Sequence, residues 1–308
     1  MSNIQASSSK TQESARPEKP ELLPKPAWLK VKLPAHSHFF EVDSILRRNR
    51  VHTICQSAKC PNIAECWSAK TATFLILGDT CTRECGFCAV KKGVPAGPSE
   101  EEPGQVAEAV ADLGLDYAVI TSVTRDDLPD GGASAFVGTV RAIKNRRPQA
   151  RVEVLIPDFQ GSEEAIAAVV ASGPDVLNHN LETTEPGYPR INRPSGNYRR
   201  SLGVLKKAKS LGALTKSGLM VGLGESAAEV EQALEDLRSA GCDLLTIGQY
   251  LQPAKINPPV SRYYRPEEFA ATRERALALG FRDVAAGPLV RSSYQAHRLF
   301  LSSTTGGA

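Results

Sequence analysis

The chain has 308 residues, and its 41% hydrophobic content is enough to fill a substantial core and excludes a wholly disordered protein. Its 37 Lys and Arg against 34 Asp and Glu leave a net charge of only +3, which offers no general attraction for nucleic acid or an anionic membrane. The longest apolar run, residues 165–171, is far shorter than the roughly 18 to 20 residues of a membrane span, so we expect a soluble protein.

The first 70 residues carry little regular periodicity. Residues 1–27 are rich in Ser, Pro, Glu and Lys, which predicts a disordered tail, and residues 28–70 are expected to form an N-terminal extension. The tail holds one Arg and three Glu, whereas organellar transit peptides are rich in Arg and poor in acidic residues. No apolar signal-peptide core is present at the start of the sequence. We therefore expect a bacterial cytoplasmic location and disfavour an organellar one.

From residue 71 to the end, β-rich runs alternate with segments of helical period. The runs are residues 73–78, 117–123, 151–157, 175–180, 215–224 and 243–250. Helical spacing between them is typified by Val106, Val110 and Leu113. Strands that read as continuous apolar runs predict a parallel sheet covered by helices. An open doubly wound sheet and a full or partial (β/α) barrel both fit, and either places the chemistry at the carboxyl ends of the strands.

Six of the seven cysteines fall between residues 55 and 88. In a reducing compartment such thiols are more often metal ligands or catalysts than disulfides. Cys81-x3-Cys85-x2-Cys88 directly follows the first β-run, and no fourth Cys or His nearby completes a closed zinc site. Three thiolates on an iron–sulfur cluster leave one iron free to bind something else. This triad is therefore expected to be a catalytic centre.

A second triad, Cys55-x4-Cys60-x5-Cys66, lies in the N-terminal extension. Two separate clusters are the simplest interpretation, because each triad is compact along the chain. One pooled six-thiolate cluster is the alternative to this interpretation. For the first triad, the alternatives are a zinc knuckle completed by a distant residue such as His52 and a disulfide with a free thiol. Cys242 stands apart and is expected to be a buried core thiol.

These cysteines carry a resemblance to a known family. Cys81-x3-Cys85-x2-Cys88, with the aromatic Phe87 before its last cysteine, resembles the signature of radical S-adenosylmethionine enzymes. The second triad and the segment Arg291-Ser292-Ser293-Tyr294 are similar to the lipoyl synthase family within that superfamily. The similarity extends over residues 40–298. Further similar segments are residues 123–128, 130–132, 178–183, 216–225 and 249–253.

The resemblance implies a partial (β/α)6 barrel of the TIM type, formed by residues 71–308, whose C-terminal segment closes the mouth. It also implies two [4Fe-4S] clusters, one on Cys81, Cys85 and Cys88 and an auxiliary one on Cys55, Cys60, Cys66 and a serine oxygen. The first would bind S-adenosylmethionine, and the second would supply sulfur. We assign the serine ligand to Ser293, with Ser292 as its alternative.

The implied enzyme is a sulfurtransferase that inserts two sulfur atoms at C6 and C8 of a protein-bound octanoyl-lysine. Its partners would be octanoylated lipoyl carrier domains, of the H-protein type or the 2-oxoacid dehydrogenase acyltransferase type, and an electron donor. Another sulfur-inserting radical enzyme, such as a biotin synthase or a methylthiotransferase, and a non-catalytic zinc-binding α/β module are the alternatives. Such carrier domains are usually acidic, and candidate docking patches are residues 141–147, 190–200 and 206–209.

Polar residues at the predicted strand ends are candidates for binding S-adenosylmethionine. They are, together with Phe87, the residues Thr121, Asp126, Asn180, Glu182, Lys216 and Gln252. His179 alternates with its neighbours along a predicted strand and is interpreted as structural.

Overall fold

One eight-stranded sheet organises the chain, with the order β1-β2-β5-β6-β7-β8-β9-β10. The computed structural model describes residues 23–31 and 37–305. The strands are β1 (His52–Thr53), β2 (Thr73–Ile76), β5 (Tyr117–Ser122), β6 (Arg151–Leu155), β7 (Val176–Asn178), β8 (Thr215–Val221), β9 (Leu244–Gln249) and β10 (Asp283–Gly287). β1 pairs antiparallel with β2, and every other pairing in this sheet is parallel. With β1 and β10 at its two edges, the sheet is a partial barrel, as expected.

The α-helices mostly connect successive parallel strands of the sheet, but the first three precede β2 and the last follows β10. They are α1 (Ser37–Arg48), α2 (Ile54–Ser57), α3 (Ile63–Ser68), α4 (Glu102–Asp112), α5 (Ala133–Arg146), α6 (Glu163–Ala171), α7 (Gly196–Ser210), α8 (Ala227–Ser239), α9 (Pro266–Ala278) and α10 (Ala296–Thr305). Short 3-10 helices occur at Ala27–Leu29, Phe159–Gly161 and Glu185–Ile191. Local sequence sets several boundaries: Ser226 and Glu229 form a reciprocal capping box at the start of α8.

The six predicted β-runs correspond to six parallel strands, β2 and β5 to β9. The prediction of exactly six was incomplete, because β10 adds a seventh parallel strand beside β9. Only Val284 in that strand is buried, so its sequence, Asp-Val-Ala-Ala-Gly, lacks the apolar run that marks its neighbours. The edge position of β10 explains the weak pattern, since one side of an edge strand has no partner.

The predicted disordered tail falls mostly outside the described residues, at 1–22. Within its described part and just beyond it, residues Ala27–Leu29 form a 3-10 turn whose Leu29 is buried. Within residues 23–31 and 37–305, no helix is both long and apolar enough to cross a membrane.

A small second sheet shapes the loop after β2. Its strands, β3 (Thr80–Cys81) and β4 (Lys91–Lys92), pair in parallel on either side of the cysteine triad. Gly93 N–H also donates to the Cys81 carbonyl at 3.0 Å. These contacts therefore fix the two ends of the triad loop to each other.

Candidate active site

A cavity of about 500 Å³ opens at the carboxyl ends of the parallel strands. Its walls combine strand-end residues such as Thr121 and Asn180 with three other parts of the chain: the N-terminal extension, the triad loop after β2 and the C-terminal segment after β10. Five of the six triad cysteines line it, Cys66 being the exception, and so do Ser292 and Ser293. The fold thus brings the two triads to one chamber.

Backbone and side-chain bonds hold the loop of Cys81, Cys85 and Cys88. Gly86 N–H donates to the Ile191 carbonyl at 2.7 Å, and Asn257 Nδ2 donates to the Gly86 carbonyl at 2.7 Å. A Cβ at Gly86 would lie 3.2 Å from the Ile191 carbonyl carbon, so a glycine lets the two backbones approach. The loop is consequently tied to the barrel on both faces.

N–H donors point at the sulfur atoms of this triad. Cys81 Sγ accepts from the backbone N–H groups of Arg83, at 3.4 Å, and Thr124, at 3.3 Å. Arg193 Nε donates to Cys85 Sγ at 3.4 Å. Hydrogen bonds to the ligating sulfur atoms tune the reduction potential of an iron–sulfur cluster. The donor set therefore fits a three-thiolate iron–sulfur site.

Arg83, inside the triad loop, is clamped by two carboxylates. Its guanidinium contacts Asp126 through two hydrogen bonds, of 2.6 and 2.8 Å, and Asp158 through one of 2.6 Å. Burial raises the pKa of Asp158, but the hydrogen bond and charge of Arg83 outweigh it and lower that pKa to about 2. Asp158 therefore stays ionised at neutral pH, and the two carboxylates fix the loop to the segments that follow β5 and β6.

The second triad occupies the two short helices α2 and α3 and the turn between them. Thr53 caps α2, and Cys60 N–H donates to the Cys55 carbonyl at 2.9 Å. Burial, together with the charges of Cys55 and Cys60, raises the pKa of Cys66 to about 12. Burial also raises the pKa of Cys88 to about 11, with contributions from Cys85 and Cys81. Each triad is thus a group of mutual neighbours in an apolar setting.

The C-terminal segment packs against the second triad. Asn62 Nδ2 donates to the Leu289 carbonyl at 2.6 Å, and Tyr294 Oη donates to Glu65, next to Cys66, at 2.8 Å. These contacts join residues more than 200 positions apart. The Arg-Ser-Ser-Tyr motif therefore lies beside the second triad.

The two adjacent serines differ in what their hydroxyls do. Ser292 Oγ donates to Asn180 Oδ1 at 2.9 Å. Ser293 lines the cavity, and its hydroxyl makes no hydrogen bond to any residue in the described part of the chain. Of the two hydroxyls, that of Ser293 is therefore the one available to act as a ligand.

Five of the residues predicted to bind S-adenosylmethionine line the cavity, namely Phe87, Thr121, Asn180, Glu182 and Gln252. Glu182 stands just beyond β7 with a φ of +73°, a strained conformation for a non-glycine residue. Its backbone bonds to both Gly218 and Met220 of β8 maintain that conformation. Burial raises the pKa of Glu182, against the opposing charge of Arg193 and a hydrogen bond from Asn180.

The other two predicted residues lie elsewhere. Asp126 is engaged by Arg83, as described, and does not line the cavity. Lys216 points into the barrel interior, where its ammonium contacts Glu153 at 2.8 and 3.1 Å and both side chains are fully buried. Removing one member of such a pair leaves an uncompensated buried charge, which costs about 3–5 kcal/mol. Lys216 is placed as part of the barrel core.

His179 has the structural environment that its position in the sequence predicts. Its Nδ1 lies 2.9 Å from the Ile156 carbonyl and its Nε2 lies 3.0 Å from Ser201 Oγ. Burial lowers its pKa to about 4, so it stays neutral at physiological pH. Cys242 is likewise fully buried, with its thiol donating to the Leu244 carbonyl.

Two site residues escaped sequence reasoning. Arg193, grouped there with a surface patch, faces inward, contacts Cys85 and lies 5.5 Å above the Phe87 ring. Gly218 of β8 lines the cavity where a Cβ would be 2.6 Å from Asn180 Oδ1 and 2.8 Å from Ser292 Oγ. A glycine inside a strand signals a close approach, and that signal was available.

Among residues 23–31 and 37–305, no three His, Cys, Asp or Glu side chains converge closely enough to hold a single metal ion. The donors in the cavity are instead two thiol triads, hydrogen-bond donors to sulfur and one available hydroxyl. This set fits a pair of iron–sulfur clusters, each with one position not filled by cysteine.

Comparison with known proteins shows which families and structures this chain is similar to. Residues 75–237 match the model of the Radical SAM superfamily. A lipoyl synthase of Pyrobaculum calidifontis is 57% identical over 279 residues, covering 90% of this chain and 96% of that protein. A lipoyl synthase of Caldicellulosiruptor bescii is 55% identical over 276 residues, covering 89% and 94%. The crystal structure of methylornithine synthase shares the fold with a TM-score of 0.53 and 13% identity, over 84% of this chain and 85% of that one.

Proposed function

The chain belongs to the lipoyl synthase family of the radical S-adenosylmethionine superfamily, and from this premise we propose how its residues divide the work. Cys81, Cys85 and Cys88 hold the cluster that binds S-adenosylmethionine. Cys55, Cys60 and Cys66 hold the auxiliary cluster, with Ser293 as its fourth ligand. The observation that carries this division is the single cavity to which both triads contribute.

The reaction is the insertion of two sulfur atoms, at C6 and C8, into an octanoyl chain amide-linked to a lysine of a lipoyl carrier protein. Breaking an unactivated C–H bond is beyond acid–base catalysis and is the kind of step that cofactors perform. When bound, S-adenosylmethionine and its cluster supply a carbon-centred radical, and the auxiliary cluster supplies sulfur. A shared chamber is what this pairing requires, because a substrate radical must meet its sulfur source before it meets anything else.

The protein's own residues hold the clusters, orient S-adenosylmethionine and enclose the reaction. The Arg83 clamp fixes the triad loop, and Arg193 donates to Cys85. We assign to Asn180, Glu182, Thr121, Phe87 and Gln252 the positioning of S-adenosylmethionine, since their side chains line the cavity where its polar groups have to lie. Most residues lining the cavity are buried or half-buried, which excludes water from a reactive radical.

The same chemistry indicates which proteins act as specific partners. We propose octanoylated H proteins and acyltransferase subunits of 2-oxoacid dehydrogenases as carriers, and a reduced protein as electron donor. We also propose the bacterial cytoplasm as the location, in keeping with the bacterial lipoyl synthases among its relatives. No observation favours a zinc module or a different sulfur-inserting enzyme over this assignment.

The direct test is turnover of an octanoyl-lysine peptide under reducing, anaerobic conditions with S-adenosylmethionine. We expect a product with two added sulfur atoms by mass spectrometry, with formation of 5'-deoxyadenosine. A protein that retains its iron and cleaves S-adenosylmethionine without adding sulfur to the peptide would contradict the proposed reaction.

Exchanging Ser293 for cysteine should slow sulfur insertion while leaving the iron content unchanged. A thiolate is a softer and better match for iron than a hydroxyl oxygen, so that corner of the cluster would open less easily. We expect a loss of rate of roughly 10- to 100-fold, comparable to changes around other metal sites. Iron analysis and the rate of product formation are the two measurements.

The matched variant is Ser292→Cys, because the Ser292 hydroxyl is already bonded to Asn180. Equal rates of insertion in Ser293→Cys and the unaltered protein would remove the ligand-softness argument. A loss confined to Ser292→Cys would transfer the role to Ser292.

A further inference from the structure

The basic patches on the helices offer little free charge for a partner. Most of their cationic side chains already form ion pairs within the chain, with the nitrogen less than 3 Å from a carboxylate oxygen. The pairs are Lys144–Asp175, Arg146–Glu108, Arg147–Asp116, Arg199–Glu185, Lys207–Glu163 and Lys209–Asp243. A partner that used these groups would first have to break existing contacts.

The rim of the cavity is different. Every solvent-exposed residue that lines the cavity is a lysine: Lys25, Lys59 and Lys92. None of the three forms an ion pair or a side-chain hydrogen bond with another described residue. No exposed carboxylate lines the cavity within the described ranges. Lys25 precedes the 3-10 turn at Ala27–Leu29, Lys59 lies in the second triad and Lys92 lies in β4, so the lysines frame the cavity from three parts of the chain.

Two aliphatic side chains beside this rim are left uncovered. Val94, two residues after Lys92, is 96% exposed, and Ile256, three residues after the cavity-lining Pro253, is 93% exposed. The loop of Ile256 is attached to the triad loop, because Asn257 donates to the Gly86 carbonyl. Exposed apolar side chains a few residues away from cavity-lining positions, together with unpaired charges, are a feature of protein-docking surfaces.

We infer that this rim, defined by Lys25, Lys59, Lys92, Val94 and Ile256, is the surface that docks the octanoylated carrier domain through an acidic face around its modified lysine. The inference rests on the proposed function. Because the octanoyl chain is tethered to a folded domain too large for the cavity, that domain has to stop at the mouth and touch the residues that frame it. Unpaired lysines there attract carboxylates and steer the encounter.

The test is charge reversal at the rim, in the double variant Lys59→Glu/Lys92→Glu of the full chain loaded with its clusters. Steady-state rates are measured with two substrates, an octanoylated carrier domain and a short octanoyl-lysine peptide of neutral charge. We expect KM for the carrier to rise about tenfold more than KM for the peptide, since rim charges act mainly on encounter with a charged partner. The carrier KM of the unaltered protein should also rise with added salt.

The matched control is Lys206→Glu, an equally exposed lysine on α7 that does not line the cavity. It should leave the ratio of the two KM values unchanged. Equal increases for both substrates in the rim variant, or an equal effect of Lys206→Glu, would overturn the docking surface while sulfur insertion into the peptide still stood. Failure of the unaltered protein to modify either substrate would instead refute the proposed function.

Discussion

Replacing Cys85 with alanine should reduce the cleavage of S-adenosylmethionine to the background rate. Three thiolates are the fewest that hold a four-iron cluster with a single open iron, and Cys85 also receives the hydrogen bond from Arg193. Losing one thiolate therefore removes the site rather than weakening it. The measurement is formation of 5'-deoxyadenosine from S-adenosylmethionine with a strong reductant, in the absence of air.

The matched control for this variant is Cys242→Ala. Cys242 is fully buried in an apolar cluster with Leu237 and Leu245, far along the chain from both triads. Its replacement should cost about 1 kcal/mol of stability through a small cavity and leave cleavage intact. Cleavage that survives in Cys85→Ala, or that fails equally in Cys242→Ala, would contradict the assignment of the first triad.

Replacing Cys60 with alanine should stop sulfur insertion but preserve part of the cleavage of S-adenosylmethionine. Cys60 lies in the turn between α2 and α3, in the N-terminal extension, and its thiol contributes to the second triad only. We expect the rate of cleavage to stay within about tenfold of that of the unaltered protein. Changes around a metal site typically reduce activity about 10- to 100-fold, and Cys60 does not belong to the triad assigned to S-adenosylmethionine. Product mass and 5'-deoxyadenosine are measured in the same reaction.

The discriminating result is a Cys60→Ala variant that still cleaves S-adenosylmethionine but inserts no sulfur. Loss of both activities in Cys60→Ala would indicate one cluster shared by the six cysteines. Retention of sulfur insertion would show that the second triad is not the sulfur source.

The parallel core of the fold follows from local sequence. β5 and β9 are nearly continuous runs of buried residues, and such runs are recognisable in the sequence. β10 does not, because one side of it has no partner strand and most of its residues are half-buried. Periodicity also could not decide between a doubly wound sheet and a barrel, since that choice depends on which strands are neighbours across the sheet.

The cysteine ligands were predictable because their spacing along the chain is itself the signal. The direction in which a strand residue points is harder to predict. Lys216 and Gly218 are two positions apart on β8, yet Lys216 pairs with Glu153 in the core while Gly218 lines the cavity. Height along the barrel axis separates them, and the sequence carries no marker of that height.

Contacts between distant segments were equally out of reach. Ser292 meets Asn180 across 112 residues, and Tyr294 meets Glu65 across 229. Arg193 belongs to a basic run that reads as solvated surface, and only its burial against Cys85 assigns it to the site. These contacts depend on how the chain ends return to the barrel mouth.

The division of the six cysteines into two independent clusters is tested most directly by iron and acid-labile sulfide analysis of anaerobically prepared protein, with and without the Cys60→Ala substitution. We expect about eight irons and about eight sulfides in the unaltered chain and about four of each in the variant, with the brown absorption near 400 nm halved but still present. A colourless protein, or a variant that loses all of its iron together, would contradict the account.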